Sequence, residues 1–239
     1  MNSIEAVLEL KSRGGLLLGL DFDGTLAPLA NHPDDAVPDP TALNHVRQLA
    51  EAKGIRVAIV SGRSLADLEE RLGGPIPGII LVGEHGNDIG DTAPHDEMLE
   101  AAVRFIEMLR AGRDLATERK AHSVTFHTRA LDPDDAAEAV SLVRDWAAEH
   151  PEVTLLEGRD VLELTVATGT KGDAIRSLAE DGEGIIYIGD DQTDETVFAI
   201  LGPDDVGIKV GSGPTAARFR TKNVAEVVEL LEALVLASS

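Results

Sequence analysis

Apolar residues along the chain fall into short continuous runs separated by stretches of helical spacing. "LLLGLDF" (16–22) is apolar throughout, as are "IRVAIVSG" (55–62) and "GIILVGEHG" (78–86). Between them, "PTALNHVRQLAEAKG" (40–54) and "SLADLEERLGG" (64–74) carry apolar residues at helical intervals. Asp39 is a candidate N-cap with Pro40 in the first turn and Gly54 as a stop, and Ser64 and Asp67 are spaced as a capping box. Strands apolar on both faces and alternating with helices predict a parallel sheet covered on both sides. The first 15 residues read as a short amphipathic helix rather than a signal peptide.

The rhythm then changes. A long helical stretch (95–112) precedes "LATERKAHSVTFHTRA" (115–130), which alternates and reads as one or two half-exposed strands. A second helix follows (132–151), with Asp132 as N-cap and Trp146 on its apolar face. "VTLLEGRDVLELTV" (153–166) reads as a hairpin turning near Gly158-Arg159. From Lys171 the strand–helix alternation resumes through "GIIYIGD" and "DVGIKVG" to a C-terminal helix. The expected architecture is α/β: a Rossmann-like parallel-sheet core from 1–86 and 169–239, with an inserted α+β cap domain at 87–168. Hinges are expected near Gly86 and Gly169.

Composition narrows the chemistry. No apolar run approaches the roughly 20 residues that span a bilayer. There are no cysteines, which excludes disulfides, thiolate catalysis and Cys-ligated zinc. A net charge of −22 argues against nucleic-acid or anionic-membrane partners. The acids are dispersed, as on a solvated surface, although a salt-adapted proteome would produce a similar balance. A cytoplasmic monomer is the expectation.

In open α/β sheets, function collects at the carboxyl ends of the strands. Four such places carry unusual polar residues. "DFDGT" sets Asp21 and Asp23 two residues apart, so that both can approach one site. Two carboxylates that close share a proton or a divalent cation. "VSGR" offers the Ser61 hydroxyl and the backbone N–H groups around Gly62 to an anion, with Arg63 adjacent. "GTKGDAI" places Lys171 at a helix N-terminus, where the dipole disfavours it unless an anion is present. "IYIGDDQTDE" presents Asp190, Asp191 and Asp194. Hard oxygen donors without cysteine point to Mg2+. Taken singly, these motifs are also ordinary turns, caps and surface residues, and Asp191 with Asp194 has helix-capping spacing.

Together, "DFDGT", "VSGR", "KG" and "GDDQTDE" resemble the four motifs of the haloacid dehalogenase superfamily of phosphohydrolases, and the insert resembles its type C2 cap. That resemblance implies Asp21 as the nucleophile forming an aspartyl-phosphate, and Asp23 as the acid and then the base. It also implies phosphoryl binding by Ser61, Gly62 and Lys171, and Mg2+ held by Asp21, Asp23 (through its carbonyl), Asp190 and Asp191, supported by Asp194. "LDFDGTLAPL", "LVGEHGNDI" and "GDDQTDE" further resemble trehalose-6-phosphate phosphatases. By that resemblance the substrate is a small sugar phosphate, and Glu118, Lys120 and Glu163 of the cap would contact the sugar. Arg63 and His85 are further candidate substrate contacts. Thr128 stands where that family commonly has an aromatic, and "LTVATGT" where it tends to have Arg-Pro. Other glycosyl phosphates are the nearest alternative substrates. A phospho-acceptor signalling module or a silent sugar-binding protein are the alternatives of another class.

Overall fold

The computed structural model describes residues 2–30, 32, 35–88, 97–111, 115–120, 122–158, 160–166 and 169–238. The chain divides into two compact units, one from residues 1–90 and 169–239, the other from residues 91–168.

The first unit is built on six parallel strands: β1 (Leu16–Leu20), β2 (Ile55–Val60), β3 (Ile79–Val82), β8 (Gly184–Gly189), β9 (Val206–Val210) and β10 (Phe219–Thr221). Their spatial order is β10-β9-β8-β1-β2-β3. All five residues of β1 are buried, as expected for a central strand covered on both faces. On one face Leu16, Leu18 and Leu20 join a core with α1 (Ser3–Ser12), α2 (Pro40–Glu51) and α8 (Val224–Leu236). On the other, Leu17 packs with Ala58, Ile175, Tyr187 and Phe198. At roughly 1.5–3 kcal/mol for each fully buried aliphatic side chain, these layers dominate the stability of the unit. Among the described residues, no helix is long and apolar enough to cross a membrane.

The sheet register decides where the chemistry falls. Leu20 lies beside Ile59 on one side and Ile188 on the other. Asp21, Ser61 and Asp190 therefore leave the sheet at one edge. The helix starts follow from local capping. Asp39 accepts from the backbone N–H groups of Thr41 and Ala42 at 2.8 and 3.0 Å. Thr170 and Asp173 form a reciprocal capping box at the start of α6 (Lys171–Leu178). The Ser64 box at α3 (Leu65–Leu72) is only half formed. Ser64 accepts from Asp67 N–H, but the Asp67 carboxylate turns to Arg63 and Arg71 instead.

The second unit carries α4 (Glu97–Arg110) and α5 (Pro133–Glu149) against an antiparallel sheet ordered β4-β5-β7-β6. Its strands are β4 (Ala116–Arg119), β5 (Ser123–His127), β6 (Thr154–Gly158) and β7 (Val161–Thr165). The stretch expected to hold one or two strands thus holds two, and the expected hairpin is β6–β7, with Arg159 outside the described residues. Val124, Phe126, Leu162 and Leu164 point into the helix layer. Trp146 lies stacked between Phe105, at 5.0 Å, and His150, at 4.0 Å.

Candidate active site

The centre of the first unit's site is a buried ammonium between two carboxylates. Lys171, 2% exposed at the first position of α6, reaches Asp21 Oδ1 at 2.7 Å and Asp194 Oδ1 at 2.9 Å. This is the anionic partner that a lysine at a helix N-terminus demands. Burial works against the Lys171 charge, but Asp21, Asp194 and Asp191 outweigh it and raise its pKa above the ordinary lysine value. Burial pushes the Asp21 carboxyl well above the usual carboxylate range, against the pull of Lys171 and with Asp194 and Asp190 adding to the push.

Asp194 is saturated with donors. Its Oδ1 accepts from Lys171 and from the Tyr187 hydroxyl at 2.7 Å, and its Oδ2 accepts from the backbone N–H groups of Asp190 and Asp191 at 2.8 and 2.9 Å. A fully buried carboxylate with both oxygens filled holds the loop after β8 in shape. Asp191 has a separate task. Its Oδ1 accepts from Thr193 N–H, Thr193 Oγ1 and Asp194 N–H, as a capping side chain does. Lys171 and these donors, against the effect of burial, draw its pKa down to about 2.

Asp190 is the acid of this loop that remains available. Its carboxyl lies over Gly24, where a Cβ would come within 2.0 Å of Asp190 Oδ2, and Gly24 has φ +82°. Burial and the neighbouring charges of Asp191 and Asp194 raise Asp190 to about 6. Asp21, Asp190 and Asp194 offer carboxylate oxygens that all lie within 4.8 Å of one another. Asp21 Oδ2 is buried with no hydrogen-bond partner among the described residues. A crowded, oxygen-only donor set with one orphaned carboxylate oxygen fits a hard divalent cation, which would relieve both the repulsion and the missing partner. The grouping leaves out Asp191, whose turn-capping role accounts for it.

Asp23 does not turn toward this cluster. Arg63 Nε and Nη2 donate to its Oδ2 and Oδ1, each at 2.7 Å. Nη1 of the same guanidinium donates to Asp67 Oδ2 at 2.6 Å, and the group lies 5.5 Å from the Phe22 ring centroid. Only 10% of the Arg63 side chain is exposed. Arg63, a candidate substrate contact, is here bonded to two carboxylates of its own unit.

Ser61, 1% exposed, accepts from Arg63 N–H at 3.2 Å, and among the described residues its hydroxyl donates no hydrogen bond, which suits it to meet an anion. A Cβ at Gly62 would lie 2.3 Å from His85 Cε1, so the histidine packs directly on the loop that carries Ser61. That packing is backed by the main chain. His85 N–H donates to Ser61 O, and Glu84 N–H to Arg63 O, each at 2.9 Å. Glu84 and His85 both have positive φ, 47° and 57°. Two adjacent strained residues persist only where such bonds hold them. Asn87 ties the exit and return of the chain together: its Nδ2 donates to Gly169 O at 3.0 Å and its Oδ1 accepts from Gly169 N–H at 2.8 Å.

Two residues of the site escape a motif reading. Lys209, on β9 and 5% exposed, donates its ammonium to the carbonyls of Asp190 and Asp191. Its signal is a lone charge inside the apolar run "VGIKV". Tyr187, the chain's only tyrosine, sits inside the buried β8, and its hydroxyl finds Asp194.

In the second unit, the strand registers set Glu118, Thr125, Glu163 and Leu156 in one row across the sheet. Ion pairs to the helices fix the faces. Arg119 pairs with Glu100 of α4, and Glu157 with Arg144 of α5. Alternation along a strand then puts Glu118 and Glu163 on the face away from those helices. Lys120 Nζ lies 3.5 Å from Glu163 Oε1. The three expected sugar contacts are therefore gathered on one sheet face, within their own unit.

The chain is similar to known proteins over most of its length. Residues 19–225 match the family model described as trehalose-phosphatase. A trehalose-phosphate phosphatase of Mycobacterium marinum is 35% identical over 87% of the chain. The chain spans 58% of the length of that relative. An Aspergillus fumigatus trehalose-6-phosphate phosphatase structure superposes with a TM-score of 0.71 at 25% identity, covering 98% of each chain. A solved trehalose-6-phosphate phosphatase related protein gives 0.73 at 29% identity, over 92% of this chain and 97% of that one.

Proposed function

Because the chain belongs to the trehalose-phosphatase family, we propose that it hydrolyses trehalose 6-phosphate to trehalose and phosphate through an aspartyl-phosphate. The observation that carries this reading is the buried Asp21–Lys171–Asp194 arrangement, with one Asp21 oxygen paired and the other open.

In this reading the Asp21 carboxylate attacks phosphorus, and the ester oxygen leaves with a proton supplied through Asp23. Lys171 fixes the orientation of Asp21 through Oδ1 and adds positive charge where the equatorial phosphoryl oxygens gather negative charge. The Ser61 hydroxyl donates a hydrogen bond to the same oxygens. Asp23 then takes a proton from the water that opens the aspartyl-phosphate. Asp21 and Asp190 would hold a Mg2+ ion, with Asp194 behind them and the Asp23 carbonyl as a further donor. When bound, the ion neutralises phosphoryl charge.

The inserted unit would supply selectivity. Glu118, Lys120 and Glu163 share one sheet face, and charge-assisted hydrogen bonds from such groups suit a polyhydroxylated ligand. The reading implies a cytoplasmic monomer acting on a small molecule, without nucleic-acid or membrane partners.

The test is phosphate release from a panel containing trehalose 6-phosphate, sucrose 6-phosphate, glucose 6-phosphate and glucosyl-phosphoglycerate, with and without Mg2+. Preference for trehalose 6-phosphate is expected. A flat profile, or preference for a hexose monophosphate, overturns the sugar assignment, and full activity after Asp21→Asn overturns the chemistry.

A further inference from the structure

We propose that Arg63 is a positioning residue for the second half of the reaction: it orients Asp23 as the base that activates water against the aspartyl-phosphate. The inference rests on the acid–base role assigned to Asp23 above.

The geometry is specific. Arg63 meets Asp23 with two parallel bonds of 2.7 Å, from Nε and Nη2 to the two carboxylate oxygens. A planar fork of this kind fixes both the position and the plane of its partner, which a lysine cannot do. Arg63 is itself docked. Its Nη1 is held by Asp67 at 2.6 Å, and Asp67 is held in turn by Arg71 at 2.9 and 3.0 Å. Arg71 also donates to Ala36 O at 3.1 Å. The main chain of Arg63 is pinned at both ends, its N–H to Ser61 Oγ and its carbonyl to Glu84 N–H.

Asp23 can exchange a proton while it stays in this fork. An ionised carboxylate has about four lone-pair sites, and the guanidinium occupies two. Two remain to accept a water proton, so Asp23 can serve as the base without leaving Arg63. The protonated Asp23 that ends this step is the acid that gives its proton to the departing oxygen of the next turnover, so the fork positions the carboxyl for both. A leaving group that needs no acid isolates the base step. The balance of that step is simple. Water oxygen bonds to phosphorus, the phosphorus–Asp21 oxygen bond breaks, and the water proton passes to Asp23.

An aryl phosphate separates the steps, because a nitrophenolate leaves without an acid. With p-nitrophenyl phosphate and Mg2+, Arg63→Met should form the aspartyl-phosphate rapidly and break it down about 10- to 100-fold more slowly than the unaltered protein. The readout is a burst of nitrophenol of about one equivalent per site, followed by slow turnover, with acid-quenched protein carrying phosphate. Asp23→Asn serves as the reference for loss of the base. Arg63→Lys keeps the charge without the fork and should show the same burst with a smaller slowing. If Arg63→Met does not fold, the lysine variant decides. A burst in Asp23→Asn and none in the Arg63 variants overturns this inference alone. No burst in Asp23→Asn removes Asp23 as base, and the inference falls with it. Equal slowing of the burst and of the later phase in the Arg63 variants indicates a purely structural role and also overturns it.

Discussion

Lys171 and Asp194 form an ion pair with no contact to solvent: the Nζ–Oδ1 distance is 2.9 Å and the side chains are 1% and 0% exposed. The same ammonium lies 2.7 Å from Asp21. Such a pair is weak evidence for net stability, but removing one partner strands the other charge in low dielectric. Lys171→Met leaves two buried carboxylates without their cation. It should abolish phosphate release and destabilise the protein by roughly 3–5 kcal/mol in urea unfolding. Asp21→Asn keeps an acceptor oxygen for Lys171 and the whole Lys171–Asp194 pair, so it should be equally inactive but far less destabilised. Equal loss of stability in both variants would contradict the picture of one shared cation.

Most of this cluster is legible before any coordinates, because its members sit at strand ends and helix starts that hydrophobic pattern and capping residues mark. Asp21 follows a fully apolar strand, Lys171 follows the Thr170 cap, and Asp190 follows Gly189. The assignment of tasks among adjacent acids is less legible. Asp190, Asp191 and Asp194 look alike in sequence, and only the turn they build separates an available carboxyl, a capping one and a buried, saturated one. Arg63 poses a similar difficulty. A side chain of its length can reach a ligand or its own protein, and the half-formed cap at Ser64 that frees Asp67 to receive it is not visible in spacing alone. Lys209 acts from β9 on a loop about 18 residues earlier, and no local pattern encodes that reach.

Gly24 admits the Asp190 carboxyl. With φ at +82° and Asp190 Oδ2 only 2.0 Å from where a Cβ would stand, alanine has neither conformational nor physical room. The left-handed backbone alone costs about 1–2 kcal/mol. The Asp190 carboxyl must also shift from its place in the cluster. Gly24→Ala should therefore raise the Mg2+ concentration for half-maximal activity by at least about tenfold, with a smaller effect on maximal rate. An unchanged Mg2+ requirement, measured by titration at fixed substrate, would remove Asp190 from the cation site.

The acids at this site make stability depend jointly on pH and cation. Burial and like charge raise Asp190 to about 6 and push Asp21 in the same direction. A carboxyl whose folded value exceeds its unfolded one binds protons more tightly in the native state. Its contribution to stability therefore declines as pH rises from the ordinary carboxylate range through about 6. A divalent cation takes the deprotonated form and cancels that penalty. The rise in melting temperature on adding Mg2+ should be small at about pH 5 and fully developed by about pH 7.5. A gain as large at the lower pH would show that these carboxyls are not the binding groups.

Lys209 tests whether the loop after β8 is held from both sides. Asp194 satisfies its amide groups, and Lys209 satisfies the carbonyls of Asp190 and Asp191. Glu195 lies 3.7 Å from the same ammonium, so the lysine also balances an acid outside the cluster. Methionine matches its length and apolar stem but provides no donor. Lys209→Met should loosen the loop without breaking the Lys171–Asp21 contact. The expected result is weaker Mg2+ binding by about tenfold, the scale on which residues that orient metal ligands act. Nucleophile reactivity at saturating Mg2+ should persist, seen as phosphate incorporated into acid-quenched protein. Loss of that incorporation at saturating Mg2+ would mean that Lys209 acts on the reacting groups rather than on the loop that carries Asp190.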